Sequence, residues 1–390
     1  MNNETRKETQ VLPKDVRYVG ADDLTLPLFE NQYPVQPMGV SYNSYLILDE
    51  KVAVMDSVDA RAADEWLAKL AHELDGRSPD YLVISHMEPD HSGSILRLAE
   101  KYQEMKLVGN TKTFTMLRQF FGAKAPTDDR LLEVGEGETL PLGAHTLHFM
   151  LAPMVHWPEV MVAYEETEKL LFSADAFGRF GALSRTAAAP WAPQARRYYY
   201  NIVGKYGAQV QALLKKASAL EIKTICPLHG PVLTGEALGE ALRLYDLWSR
   251  WQSESPDDIL LAHASIHGNT ARAAELFKQK LEAAGARVTL CDLTTTEVSY
   301  AVANAFYCGK LVLACSTYDG GLFPPMEEFL SHLQAKGFRD RSVGLMENGS
   351  WAPAAARLMR AKLEEMKDLR VCGTVVSLRS ALSPASEAQM

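Results

Sequence analysis

The last third of the chain alternates short apolar runs with helical patterns, and this alternation sets the strongest limit on its fold. The apolar runs cover residues 259–264, 287–293, 311–315, 342–346 and 371–378. The helical patterns between them include residues 269–284, 325–336 and 352–367. Strands that alternate with helices form a parallel sheet, because right-handed crossovers place the helices on both of its faces. Residues 256–390 are therefore predicted to form a doubly wound α/β domain with a five-stranded parallel sheet.

The first part of the chain has a different pattern. Its apolar segments, which alternate like strands, cover residues 44–48, 52–55, 82–85, 146–151, 161–164 and 170–173. Helical patterns interrupt them at residues 60–73, 94–102 and 202–219. This order predicts sheets that pack together under a cover of helices, an α/β sandwich. The polar stretch 251–258, which contains Pro256, places the domain boundary between residues 255 and 256.

Composition excludes several classes of partner. The chain has 390 residues, 47% of them hydrophobic, and a formal net charge of -9. The summed negative field repels nucleic acid backbones and anionic lipid surfaces. The first 17 residues are polar, and no later stretch approaches the roughly 20 apolar residues that a membrane helix requires. We therefore expect a cytoplasmic protein that binds neither nucleic acid nor membrane.

No two cysteines have the sequence spacing of a metal-binding pair. There are five, and none is part of a Cys-x-x-Cys pair. They are Cys226, Cys291, Cys308, Cys315 and Cys372. Several lie in apolar runs, which is typical of small core residues. The sequence thus offers no cysteine site for a rubredoxin-type iron or an iron-sulfur cluster.

A cluster of potential metal ligands follows the apolar run 81–85. It contains His86, Glu88, Asp90 and His91 within six residues. Any one of them, taken alone, is better explained as a turn former or a satisfied polar group. Four ionisable groups beside a buried strand, however, cost desolvation energy unless a cation compensates them. Three further candidates follow other apolar runs, namely His156, Asp175 and His229.

This order of residues resembles the metallo-β-lactamase fold and, within it, the flavodiiron proteins. The resemblance covers residues 39–47, 85–94, 156–159, 174–178, 196–206 and 227–231 and extends into the C-terminal half. The zinc hydrolases of the fold usually have His where this chain has Glu88. A carboxylate there makes the site harder and more anionic, which suits iron. Glu159 stands where the family commonly has Asp.

The resemblance implies a fold, a ligand set and a reaction. The fold is an αββα sandwich followed by a flavodoxin-like domain. One iron is expected on His86, Glu88 and His156, the other on Asp90, His91 and His229, with Asp175 bridging them. The diiron centre would reduce dioxygen to water, nitric oxide to nitrous oxide, or both. Two adjacent metal ions can bind both ends of one dioxygen or two nitric oxides, so the prediction covers both substrates.

The loop between the first strand and helix of the C-terminal domain is a candidate phosphate site. Hydroxyls, an amide and a glycine at such a turn can bind an anion at the helix N-terminus, although the same residues also cap ordinary helices. Resemblance to flavodoxin implies that this loop holds the phosphate of FMN. The predicted residues of this loop are Ser265, His267, Gly268, Asn269 and Thr270; His267 replaces a frequent Tyr.

The loops after the third and fourth strands are expected to enclose the isoalloxazine ring. The candidates there are Ser316, Thr317, Tyr318, Asp319, Gly320, Asn348, Gly349, Ser350 and Trp351. Tyr318 and Trp351 are either aromatic residues that stack on the ring or ordinary loop residues that cover nearby apolar surface. Electrons would reach FMN from a separate donor, a rubredoxin-like protein or a reduced deazaflavin. The resemblance also implies a head-to-tail homodimer or homotetramer, in which the FMN of one subunit serves the irons of another.

Two other functions compete with this interpretation. One is a dizinc hydrolase of a thioester or phosphodiester with an accessory flavodoxin domain, against which Glu88 and the flavin-like domain argue. The other is an electron carrier or binding module with a vestigial metal site. A complete ligand set argues against it, because a decayed site should have lost ligands.

Overall fold

The computed structural model describes residues 11–390, so the first ten residues of the polar N-terminal stretch lie outside the described part. The chain divides into two compact units. The first contains the described residues up to Tyr199 and the segment Ala208–Asp246, and the second contains Tyr200–Gly207 and Leu247–Met390. The boundary between residues 255 and 256 stays a prediction. Within residues 11–390, no helix is long and apolar enough to cross a membrane.

Two mixed sheets of six strands each form the framework of the first unit. In spatial order, the strands of one are Val16–Tyr18, Tyr45–Leu48, Val52–Met55, Tyr81–Val83, Lys106–Gly109 and Leu131–Glu133. Those of the other are Thr139–Pro141, Thr146–Leu151, Met161–Glu165, Leu170–Phe172, Thr224–Cys226 and Leu233–Thr234. Two small antiparallel pairs accompany them, Ala21–Asp23 with Val40–Tyr42 and Leu28–Phe29 with Tyr33–Pro34.

The sheets pack face to face around one apolar core. Ile47, Met55 and Val83 from the first sheet meet Phe149 and Phe172 from the second in this core. All four residues of Val52–Met55 are fully buried, so this strand is covered on both faces. The predicted α/β sandwich is confirmed.

Helices surround the sheets and connect their strands. Up to Ser249 they are Ala63–Leu74, Pro89–Ser92, Ile95–Lys101, Thr111–Phe121, Leu183–Thr186, Trp191–Tyr198, Gly207–Ala217 and Gly235–Ser249. The 3-10 turns are Ala60–Ala62, Gly122–Lys124, Asp128–Arg130 and Gly204–Tyr206. In Ala63–Leu74, the residues Trp66, Leu70 and Leu74 recur every four positions and bury one stripe of the helix.

The second unit is a parallel sheet of five strands with helices between them. In spatial order its strands are Val288–Asp292, Ser255–Ala264, Cys308–Tyr318, Ser342–Asn348 and Arg370–Leu378. The short strand Gly321–Leu322 pairs antiparallel with Cys308–Tyr318. Its helices are Asn269–Ala283, Val298–Tyr307, Pro324–Ala335, Ala355–Glu364 and Pro384–Glu387. This arrangement confirms the predicted doubly wound domain.

Several helices differ from the sequence predictions, and Thr111–Phe121 and Trp191–Tyr198 are among those not predicted. The helix predicted over residues 202–219 begins at Gly207, because a π-helical turn Tyr199–Val203 and a 3-10 turn precede it. The helix Val298–Tyr307 was not predicted. Six of its ten residues are buried, so it lacks the clear polar face that identifies a surface helix. The strand Ser255–Ala264 begins inside the polar stretch 251–258, in which the sequence predicts the domain boundary.

Candidate metal centre and cofactor pocket

The predicted ligands of the first cluster lie just beyond the strand Tyr81–Val83. Glu88 is the N-cap of the short helix Pro89–Ser92, and the proline at its first turn favours a helical start. Asp90 and His91 are therefore held on one helical turn. Ser57 Oγ donates to the His91 carbonyl at 2.5 Å, which fixes that turn from outside.

The other predicted ligands follow strands of the second sheet. His156 lies in the loop after Thr146–Leu151, Asp175 follows Leu170–Phe172, and His229 follows Thr224–Cys226. The structure thus brings together residues separated by up to 143 positions, from His86 to His229. All seven predicted ligands fall into two groups whose ligand atoms lie within 4.8 Å of one another inside each group.

The first group contains His86, Glu88, His156 and Asp175. The Nε2 atoms of His86 and His156 lie 3.3 Å and 3.1 Å from Glu88 Oε2. They lie 3.4 Å and 3.2 Å from Asp175 Oδ2. Two imidazole nitrogens and two carboxylate oxygens therefore converge on one point.

The second group contains Asp90, His91 and His229. The Nε2 atoms of His91 and His229 lie 3.3 Å and 3.2 Å from Asp90 Oδ2 and 3.1 Å from each other. Asp175 also faces this group, since its Oδ1 atom lies 3.2 Å from His91 Nε2. One carboxylate thus turns one oxygen toward each group, as a bridging ligand would.

The site is deeply buried and carries unsatisfied polar atoms. His86 and His229 are fully buried, and Asp175 is 1% exposed. Among the described residues 11–390, both Asp90 oxygens and Asp175 Oδ1 have no hydrogen-bond partner. Buried carboxylate oxygens are costly without a partner, and a cation at each group supplies one. Four imidazoles and three carboxylates fit two metal ions of intermediate hardness such as iron.

Protonation of the ligands shows how strongly the groups interact. Burial lowers the pKa of His156, yet the Asp175 and Glu88 carboxylates outweigh burial and raise that pKa to about 9. Burial raises the pKa of Asp175, but His91, His156 and His86 hold that pKa well below its ordinary value. The Asp175 carboxylate therefore stays ionised, with positive charge beside it.

Residues outside the two groups orient the ligands. Glu159 Oε1 lies 2.7 Å from His86 Nδ1 and accepts the Met87 backbone N–H at 2.8 Å. The longer Glu at this position therefore reaches the imidazole. His229 Nδ1 lies 2.7 Å from the Ser41 carbonyl, which fixes the tautomer that leaves Nε2 as the ligand atom.

One further carboxylate of this region was missed by the sequence predictions. Asp56 is 2% exposed and accepts the Ser85 backbone N–H at 2.7 Å. Burial raises its pKa to about 6. Its signal in the sequence was its place directly after the strand Val52–Met55, at the same end of the sheet as the ligand loop.

A cavity of about 580 Å³ opens beside the metal groups. Its walls include the ligands Glu88 and Asp90, whose side chains remain 14% and 11% exposed. The other lining residues are Leu26, Leu28, Phe29, Glu30, Asn31, Tyr42, Asp59, Arg61 and Pro89. None of these was predicted as a site residue, because their types and positions carry no motif.

A second cavity of about 580 Å³ lies in the second unit. Every predicted cofactor-binding residue except Gly268 lines it, and so do Ile266, Ala352 and Ser380, which were not predicted. Gly268 instead precedes the helix Asn269–Ala283 in a left-handed conformation with φ of 85°. Ser380 was missed because only the loops after the first, third and fourth strands were considered.

Hydroxyl and amide groups form the floor of this second cavity. Thr270 Oγ1 lies 2.8 Å from Ser316 Oγ and accepts a hydrogen bond from the Asn348 amide at 3.2 Å. At the rim, Tyr318 is 44% and Trp351 is 88% exposed. The floor joins the first turn of the helix Asn269–Ala283 to the ends of the strands Cys308–Tyr318 and Ser342–Asn348, and the rim leaves large aromatic surfaces open for a flat ligand.

Comparison with known proteins gives a matching family model and several similar proteins. The family model described as ODP family beta lactamase matches residues 40–230. The rubredoxin-oxygen oxidoreductase of Megalodesulfovibrio gigas is 28% identical over 358 residues, 89% of this chain and 87% of that protein. The nitric oxide reductase of Moorella thermoacetica is 27% identical over 361 residues, 90% and 88% of the two chains.

Among solved structures, the flavodiiron protein from Giardia intestinalis matches with a TM-score of 0.89 and 26% identity. The match covers 97% of this chain and 93% of that one, so it includes both units. The recognition made from the ligand motif is confirmed, since the chain is similar over nearly its whole length to a flavodiiron protein and to named oxygen and nitric oxide reductases.

Proposed function

We propose that the protein reduces dioxygen, nitric oxide or both at two iron ions, with electrons that pass through FMN. The observation that carries the proposal is the position of Asp175, whose two oxygens face separate groups of ligands. A single-metal site has no use for such a shared carboxylate. The related proteins named rubredoxin-oxygen oxidoreductase and nitric oxide reductase support this oxidoreductase activity.

The proposed ligand assignment follows the two groups. One iron is held by His86, Glu88 and His156, the other by Asp90, His91 and His229, with Asp175 between them. Bound iron and FMN supply the redox chemistry, and the chain holds and orients them. Glu159 and the Ser41 carbonyl keep His86 and His229 in the ligand tautomer. Leu26, Leu28 and Phe29 give the adjoining cavity an apolar wall that admits a small neutral molecule.

The hydrolase alternative is not favoured. Glu88 makes the first group a set of two imidazoles and two carboxylates, whereas zinc hydrolases of this fold usually have a third imidazole in place of Glu88. The second cavity gives the chain a further site that a simple hydrolase would not need.

FMN is proposed to occupy the second cavity. The N-terminus of the helix Asn269–Ala283 and the hydroxyls of Ser265 and Thr270 suit a phosphate group. Tyr318 and Trp351 at the rim suit the isoalloxazine ring. We propose a separate electron donor, a rubredoxin-like protein or a reduced deazaflavin, and the relative named rubredoxin-oxygen oxidoreductase supports the former.

Assembly and location complete the proposal. We propose a head-to-tail homodimer or homotetramer, on the ground of the family resemblance alone, and sedimentation of the purified protein tests it. We also propose a cytoplasmic location. The free thiols of Cys291, Cys315 and Cys372 support it, since reducing compartments keep thiols unpaired.

Metal analysis combined with a visible spectrum tests the function. About two irons and one FMN per chain, with consumption of dioxygen or nitric oxide from a reduced donor, is the expected result. Zinc without flavin would refute the proposal, and flavin without metal would favour an electron carrier. Rates of anaerobic nitric oxide consumption and of dioxygen consumption, measured with the same donor, identify the preferred substrate.

A further inference from the structure

A tyrosine hydroxyl lines the cavity beside the metal groups without an evident acceptor for its proton. Tyr42 is fully buried, and its ring lies 6.1 Å from the His229 ring, centre to centre. Its side chain lines the same cavity as Glu88 and Asp90. Among the residues that line this cavity, it carries the only hydroxyl group.

The direction of the Tyr42 hydroxyl is set by Arg61. Arg61 Nη2 lies 3.1 Å from Tyr42 Oη. A guanidinium can only donate, so the tyrosine oxygen is the acceptor and its own O–H points elsewhere. Within residues 11–390, this is the single hydrogen bond of the Tyr42 hydroxyl, and neither oxygen of nearby Asp90 has a hydrogen-bond partner. The O–H is therefore available to a molecule in the cavity.

Arg61 is itself held in place by two carboxylates. Its Nε and Nη2 atoms donate to the two oxygens of Asp59, each at 3.1 Å. Asp23 Oδ2 lies 3.6 Å from Arg61 Nε on the other side. Asp59 also accepts the Arg61 backbone N–H at 2.9 Å. Such a two-point contact fixes the plane of the guanidinium, and with it the position of the Tyr42 hydroxyl.

We propose that Tyr42 donates a hydrogen bond to the oxygen of the molecule bound at the metal groups, and that Arg61 is the positioning residue for this donor. The inference rests on the proposed function. Reduction of dioxygen or nitric oxide places negative charge on oxygen, and a fixed hydrogen-bond donor stabilises that charge as it develops. Asp59 and Asp23 act through Arg61.

Azide binding to the iron-loaded, oxidised protein tests the donor without turnover. Visible absorbance gives the dissociation constant for wild type, Tyr42→Phe and the control Tyr164→Phe. Tyr164 is a matched control, because its hydroxyl donates to the Glu221 carbonyl at 2.8 Å and does not line the cavity. We expect Tyr42→Phe to weaken azide binding about tenfold with unchanged iron content, and Tyr164→Phe to leave it unchanged.

Turnover separates a donor from a packing role. Tyr42→Phe should lower kcat and kcat/KM for the gaseous substrate equally, as expected for an interaction made in the transition state. Arg61→Gln should weaken azide binding to a similar degree, Arg61→Lys should restore part of it, and Tyr42→Phe with Arg61→Gln should be no worse than Tyr42→Phe alone.

Several results would overturn the inference. Wild-type azide affinity in Tyr42→Phe at full iron content removes the donor role, and loss of iron in that variant assigns Tyr42 to the structure of the site. Additive losses in the double variant remove the positioning role of Arg61. A wild-type protein that binds no iron refutes the proposed function and the inference together, so the two failures are distinguishable.

Discussion

The metal groups and the cofactor pocket are built from opposite kinds of surface. In the first unit, the predicted ligands are ionisable side chains that are almost entirely buried, such as His86 and Asp175. In the second unit, the cavity has a floor of neutral hydroxyls and amides and a rim on which Trp351 is 88% exposed. We call the seven predicted metal ligands of the first unit the cage, because they are charged and buried. We call the residues that line the cavity of the second unit the cradle, because that cavity is open at its rim.

This difference teaches what each site requires of its occupant. The cage contains buried carboxylate oxygens that have no hydrogen-bond partner within residues 11–390, so bound cations should stabilise it. The cradle has its polar groups partly satisfied by one another, as between Thr270 and Ser316, and does not depend on its ligand in this way. We therefore expect changes in the cage to affect metal strongly, and changes in the cradle to affect flavin moderately.

The largest expected effect comes from Asp175→Asn. The amide cannot serve as an anionic bridge, so iron should be lost from both groups, with more than about a 100-fold drop in iron affinity. Flavin absorbance should persist. Metal analysis and the visible spectrum measure both, with Asp128→Asn as the control, since Asp128 is an exposed partner of Arg118. Two irons in Asp175→Asn would contradict the bridge.

A smaller effect is expected from Glu159→Gln. The variant removes the charge that holds His86 Nδ1 but leaves every ligand in place. Loss of such a partner typically lowers metal affinity about 10- to 100-fold. Competition with a chelator measures this, and Glu133→Gln, an exposed Glu that accepts from Thr111, is the control. Equal chelator resistance in both variants would show that Glu159 does not orient the ligand.

In the cradle, Thr270→Val should weaken FMN binding about tenfold and leave iron content unchanged. The valine keeps the shape of the side chain but leaves Ser316 and the Asn348 amide without their shared partner. Flavin fluorescence during titration of the flavin-free protein gives the affinity. Thr115→Val is the control, because its hydroxyl donates to the Thr111 carbonyl on the exposed face of the helix Thr111–Phe121. A change in the iron content of Thr270→Val would show that the cofactor pocket and the metal groups are not independent.

The smallest effect concerns a buried histidine that neither site uses. Burial lowers the pKa of His263 below its ordinary value of 6.5, against the opposing charges of Asp292 and Glu275. The unfolded chain then binds this proton more readily than the folded chain. Stability is therefore retained above pH 6.5 and lost as the pH falls below it, by at most about 1.4 kcal/mol per pH unit.

His263→Phe should remove this part of the acid sensitivity. Urea unfolding at pH 7.5 and pH 5.5 measures it as the difference between wild type and variant. His148→Phe, an exposed residue paired with Glu166, is the control. If wild type and His263→Phe lose the same stability between these two pH values, His263 does not contribute.

The fold and the family were predictable from the sequence because their signals are local. The apolar run 81–85 and the motif from His86 to His91 are adjacent, and strands alternating with helices define the second unit. The assignment of individual ligands and of flavin-binding residues stays a prediction. The helix Val298–Tyr307 was not predicted because most of its residues are buried, so its sequence lacks the polar face by which a surface helix is recognised.

Other parts of the site depend on contacts between distant residues. Arg61 and Tyr42 lie 19 positions apart and have no motif, so only the folded chain shows that they meet. Glu159 and His86 are 73 positions apart, and the reach of the longer side chain is visible only in three dimensions. Ser380 lies beyond the last strand, outside the loops that sheet topology first suggests.

The shared carboxylate of Asp175 has a consequence for how the protein acquires its metal. An ion that settles on one group orders the side chain whose other oxygen serves the second group. A metal ion bound at one group therefore raises the metal affinity of the other group, and this coupling is reciprocal. We expect loading to be cooperative, so that a half-supplied culture yields a mixture of empty and doubly filled chains.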